Sequence, residues 1–114
     1  MVAYLIIRVD VQDWEKYRAY MARTPAALAK YRGRFIARGG ATVTLEGPEE
    51  TRRVALVEFP SLALAQAFYQ SPDYQAARAL RAGACEAEFV LIEGLPPAAG
   101  TGGDFIEASP SDET

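Results

Sequence analysis

The run Val2 to Val9 is rich in β-branched and aromatic residues and predicts a strand. Beyond it the apolar period lengthens: Trp14, Tyr17, Met21, Leu28 and Tyr31 recur at helical spacing, with Asp13 placed as an N-cap. Thr24-Pro25 interrupts that run. Proline disturbs a helix interior but suits a first turn, so Thr24 is expected to cap a second short segment from Pro25 to about Tyr31, ended by Gly33. Arg34 to Arg38 predicts the second strand, Gly39-Gly40 a bulge, and Thr42 to Glu46 the strand's continuation. Gly47-Pro48 marks a turn before a third strand, Arg53 to Phe59. Ser61 then caps a helix bearing Leu62, Ala65, Phe68 and Tyr69, and Ser71-Pro72 restarts it through Tyr74, Ala77 and Leu80 as far as Gly83. Glu88 to Glu93 predicts the fourth strand.

The order β-α-β, turn, β-α-β predicts an α+β fold of ferredoxin-like βαββαβ topology, a four-stranded antiparallel sheet in the order 4-1-3-2. Residues 1–94 form the expected domain, and 95–114 an acidic, flexible tail in which Phe105-Ile106 is the one apolar spot.

Alternation along the strands separates two faces. Ala3, Leu5, Ile7 and Val9, with Phe35, Ala37, Ala55, Val57, Phe59, Ala87, Phe89 and Leu91, make an apolar face to lie under the helices. The other face carries Tyr4, Ile6, Ile36, Val54, Leu56, Val90 and Ile92, and no further helix is available to cover it. A second copy of the sheet would do so, predicting a homodimer closed as a two-protomer barrel. Charged residues share that face. Arg8, Asp10, Arg34, Glu58 and Glu88 are expected at one end of it, and Arg38 toward the other.

Charge and cysteine content narrow the classes. The tail holds four acidic residues and no basic one, leaving a near-neutral body of twelve basic and eleven acidic residues. Such a body has no strong field for nucleic acid or an anionic membrane, so neither is an expected partner. No apolar run approaches the ~20 residues of a membrane span, and the first residues lack signal-peptide regions, which makes the cytoplasm the default location. One cysteine, Cys85, excludes an internal disulfide and has no basic neighbour in sequence; a structural role is favoured for it. There is no histidine, which removes Ser-His and Cys-His nucleophile pairs, His-ligated zinc and His-ligated haem. No metal and no bound organic cofactor are expected.

What chemistry remains lies with the arginines, ten of the twelve basic residues, and a few partners. Arg38 or Arg8 suits a carboxylate or enolate oxygen as an electrostatic stabiliser. Glu58, on a mostly apolar strand, is the candidate base. The Tyr74 hydroxyl, with Arg78 one turn later, is a secondary ligand candidate, and Tyr20 falls off the apolar stripe toward a cleft or the surface. Arg–Glu pairing as simple structure is the competing reading, and it is the stronger one for Glu58 and the arginines.

The stretches AYLIIRVDVQD, KYRGRFIARGG, VEFPSLALAQAFYQSPDYQAARALR and VLIEG, spanning roughly residues 3 to 94, resemble the family of the domain of unknown function 1330, within the dimeric α+β barrel superfamily. Arg38-Gly39-Gly40 and Ser71-Pro72-Asp73-Tyr74 carry the resemblance most visibly. It implies a homodimer with a cleft between sheet and helices, and no settled activity. Superfamily relatives include cofactor-independent monooxygenases and lactone isomerases, which suggests by fold analogy a small organic acid or carbonyl compound as ligand or substrate. A non-catalytic ligand-binding module and a purely structural dimer are the alternatives.

Overall fold

A computed structural model describes residues 1–96. Strands β1 (Ala3–Val11), β2 (Arg34–Arg38), β3 (Arg53–Phe59) and β4 (Cys85–Glu93) form one sheet in the order β2-β3-β1-β4. All three pairings are antiparallel. Helices α1 (Trp14–Lys30), α2 (Leu62–Gln70) and α3 (Pro72–Ala79) cover one face, giving the ferredoxin-like α+β architecture that the alternation predicts. Leu5, Ile7, Val9, Ala55, Val57 and Phe59 are buried beneath the helices against Tyr17, Leu28, Ala65, Phe68, Tyr74 and Ala77. Of the expected tail, 97–114 including Phe105-Ile106 lie outside the described residues.

The restart at Ser71-Pro72 is present. Ser71 ends α2 and caps α3, its Oγ donating to the Phe68 carbonyl and accepting the Tyr74 N–H. Thr24-Pro25 does not act the same way. Helix α1 runs through it unbroken, because Thr24 turns its hydroxyl back onto the Tyr20 carbonyl at 2.8 Å instead of capping a new start. Pro25 still removes one N–H, the one that would bond to the Met21 carbonyl. The Arg38 Nη2 supplies the missing donor at 3.3 Å.

The second strand also departs from its pattern. It stops at Arg38, and Thr42 to Glu46 is not paired, leaving Val43 and Leu45 exposed. The bulge falls at Ile36, not at Gly39-Gly40: Phe35 pairs with Val57, and Ala37 already pairs with Leu56. One extra residue reverses the alternation. Ala37 therefore shares the uncovered face with Leu56, and Arg38 joins Ala55 on the helix side, opposite to the simple alternation. Gly39 follows with φ of 73°, in the left-handed region that favours glycine, and its N–H bonds to the Val54 carbonyl.

The face away from the helices is as apolar as its alternation suggests. Tyr4, Ile6, Val54 and Leu56 are half-buried, and Val90 and Ile92 remain 52% and 54% exposed.

Candidate functional site

Antiparallel pairing of β1 with β3 sets Glu58 opposite Tyr4, while Arg8 lies opposite Val54 and Glu88. The charges of the uncovered face therefore divide between its two ends instead of gathering at one. At one end Arg34 Nη2 pairs with Glu58 at 2.6 Å. At the other, Arg8 meets Glu50 at 3.3 Å, and Arg52 bridges Glu50 at 2.8 Å and Glu88 at 2.9 Å. The hydrogen bonds from Arg52 hold the Glu50 carboxyl below its usual pKa. Glu58 and Arg8 are thus each engaged by a neighbouring opposite charge. Asp10, beside Glu86 in register, is exposed.

The helix side holds a different arrangement. Tyr20, expected off the stripe, is buried, because α1 packs on α3 as well as on the sheet and its buried face is correspondingly wide. Trp14, the first residue of the apolar helical period, is 44% exposed at the first turn of α1. Tyr74 is fully buried, and its hydroxyl lies 2.9 Å from that of Tyr20. Burial first, then the Tyr74 hydroxyl, raises the Tyr20 pKa well above the ordinary phenol value.

Arg81 completes this chain. Its Nη2 donates to the Tyr74 hydroxyl at 3.3 Å and its Nη1 lies 3.8 Å from the Cys85 sulfur. The guanidinium also sits 5.0 Å from the Tyr20 ring centre and 5.1 Å from that of Phe89. Its Nε is buried without a hydrogen-bond partner, and among the described residues no carboxylate reaches it. Burial opposes the charge, but the hydrogen bond to Tyr74 holds the pKa above the ordinary arginine value. Arg78, the partner expected for Tyr74, instead donates to Gln75 at the surface. Cys85 does have a basic neighbour, four residues back in sequence.

Sequence spacing contained a sign of Arg81. It follows Tyr74 by seven residues, two helical turns on the same face, but α3 ends before it, and one-turn spacing points to Arg78.

Two spaces adjoin this chain. An interior void between α1 and the sheet measures about 30 Å³ and touches Tyr20, Tyr74, Arg38 and Arg53, room for about one water molecule. A cleft of about 410 Å³ lies between α2, α3 and β4, lined by Gln66, Tyr69, Gln70, Arg78, Arg81 and Phe89 among others. The second is of the size that small ligands occupy. It combines two cations and two amides with aromatic walls. Among the described residues no group of three or more Cys, Asp or Glu side chains is placed to hold a metal ion.

The fold matches solved structures. A protein of unknown function from Rhodopseudomonas palustris superimposes with a TM-score of 0.69 at 21% identity, over 84% of each chain. A dimeric ferredoxin-like protein of unknown function from Jannaschia sp. CCS1 gives 0.64 at 16% identity, over 82% of this chain and 100% of that one. SnoaB, a cofactor-independent oxygenase from Streptomyces nogalater, gives 0.59 at 15% identity, over 86% of this chain and 97% of that one. At these identities the likeness concerns the fold. No curated protein matches. The model of the domain of unknown function DUF1330 matches residues 2–95, nearly all of the described chain, and the chain belongs to the DUF1330 family.

Proposed function

We propose that this protein is a homodimeric binder of small organic acids, which seats a carboxylate against Arg81, with Arg78 beside it, in the cleft between α2, α3 and β4. The carrying observation is Arg81 itself: a half-buried guanidinium lining a ligand-sized cleft, with an unpartnered Nε and no carboxylate among the described residues. A half-buried cation without a counter-charge favours an anion at its open edge, and guanidinium geometry matches a carboxylate. Tyr69 and Phe89 would flank the ligand's apolar body, and the Gln66 and Gln70 amides its polar substituents. The reading requires no metal and no bound organic cofactor. The uncovered apolar sheet face supports the dimer.

Calorimetric titration with benzoate tests the site. Wild type is expected to bind benzoate and ignore benzamide, which lacks the charge. Arg81→Met keeps the packing between Tyr20 and Phe89 and should weaken benzoate binding about tenfold or more. Benzamide binding as well as benzoate, or an Arg81→Met variant binding benzoate undiminished, would overturn the proposal.

A further inference from the structure

The segment after β2 is strand-like in composition but has no strand to pair with. Residues 42–46 read TVTLE, an alternating run with β-branched residues suited to a sheet. Among the described residues the backbone of this run makes no backbone–backbone hydrogen bond. Val43 and Leu45 are 81% and 88% exposed, whereas Thr44 between them is half-buried. The Thr44 Oγ accepts the Glu50 N–H at 2.8 Å, and Glu50 is itself held by Arg8 and Arg52. One side of the run is therefore tied to the ion pairs at the end of the uncovered sheet face. Its apolar side is turned outward.

The opposite edge of the sheet is open. In the order β2-β3-β1-β4, all nine residues of β4 pair with β1, and among the described residues nothing pairs with its other side. Such an edge offers a row of free N–H and C=O groups, a template for a further strand. On the uncovered face Val90 and Ile92 of this strand stand more than half exposed. The two segments match, since each carries two exposed apolar side chains at a spacing of two, on one side of its backbone. Glu88, next along that side of β4, is already engaged by Arg52. Strands β3 and β1 separate the 42–46 run from β4 of its own chain, so the matching edge is that of a second copy. Residues 97–114 hold no comparable alternating run to compete for it.

We propose that residues 42–46 form an arm exchanged between protomers: each arm adds as a strand to the other copy's β4 edge, with Val43 and Leu45 beside the partner's Val90 and the partner's Ile92. A two-fold axis makes both exchanges identical, so the assembly closes at two copies. The arm rests on the homodimer reading and extends it, from a contact between faces to backbone pairing at both rims. Val43 and Leu45 then continue the apolar face that the dimer takes out of water.

Val43→Asp combined with Leu45→Asp tests the arm. Both side chains are exposed in the single chain, so the fold should be kept, as circular dichroism would show. Sedimentation equilibrium of full-length wild type should return twice the chain mass, and the arm variant should dissociate about a hundredfold or more readily. A charge swap then locates the contact. Val90→Lys combined with Ile92→Lys should run at single-chain mass, and mixing it with the arm variant should restore a two-chain species with one copy of each. In that species aspartates on one arm meet lysines on one edge, and the other exchange is wild type on both sides. An arm variant as tightly dimeric as wild type overturns the proposal and leaves the homodimer in place. So does a lysine variant that dimerises undiminished, or a mixture that stays at single-chain mass while wild type is dimeric. A wild type at single-chain mass overturns the arm and the homodimer together.

Discussion

Three side chains, Tyr20, Tyr74 and Arg81, join elements that are far apart in sequence, and their mutual burial has a pH consequence. Tyr20 is held neutral in the fold mainly by desolvation, so its folded pKa exceeds the ordinary 10.0. Stability from a group raised in this way is fully present below the unfolded pKa and is lost as pH climbs toward the folded one. Above about pH 10 the unfolded chain releases the Tyr20 proton while the native state retains it. Stability should therefore fall by roughly 1.4 kcal/mol per pH unit from this group. Tyr17 adds to the decline, because burial raises its pKa too. Urea unfolding across the alkaline range, with tyrosinate absorbance followed in parallel, checks this. Tyr20→Phe should flatten the slope. At this scale the sequence offered residue types without partners: Tyr74 and a nearby arginine were legible as a pair, but Arg81 and not Arg78 closes it. The turn after α3, which sequence spacing does not define, decides which of the two turns inward.

The helices and strands themselves follow the sequence closely where local chemistry is unopposed, as at Asp13, Ser61 and Ser71, each of which accepts a backbone N–H at a helix start. Thr24-Pro25 carries the same local signal as Ser71-Pro72, and tertiary packing overrules it, since Thr24, Ala27 and Leu28 are all buried along an uninterrupted α1. The cost is the Met21 carbonyl, which has Arg38 in place of the backbone donor. Pro25→Ala restores that donor and should stabilise the fold by about 1–3 kcal/mol, read from the urea midpoint. It should also free Arg38. The bulge at Ile36 was equally hidden: a glycine pair suggested a bulge three residues later, whereas the actual irregularity falls within an ordinary apolar run.

For the whole molecule, the unresolved demand is the sheet face without helices. Val90 and Ile92 stand more than half exposed beside Ile6 and Leu56, and a matching face on a second copy would bury them all. Light scattering at micromolar concentration should return twice the chain mass. Val90→Lys combined with Ile92→Lys should return the single-chain mass. Both side chains are exposed in the single chain, so this change should cost the isolated fold little. A wild type at single-chain mass would sink the dimer while leaving the carboxylate cleft standing, since that cleft lies on the helix side.

Element order, strand order and the two-faced sheet were legible in the chain, because alternation and capping act over a few neighbouring residues. It also marked most of the surface that needs a partner. Tertiary structure alone decided which cations remain without counter-ions. Arg8 and Arg34 are engaged because pairing register and a nearby loop bring Glu50 and Glu58 to them. Arg38 escapes because one bulged residue sends it through to the other side of the sheet, and Arg81 because a turn folds it beneath two phenols. Those contacts join residues distant in the chain, and no local pattern encodes which charges meet.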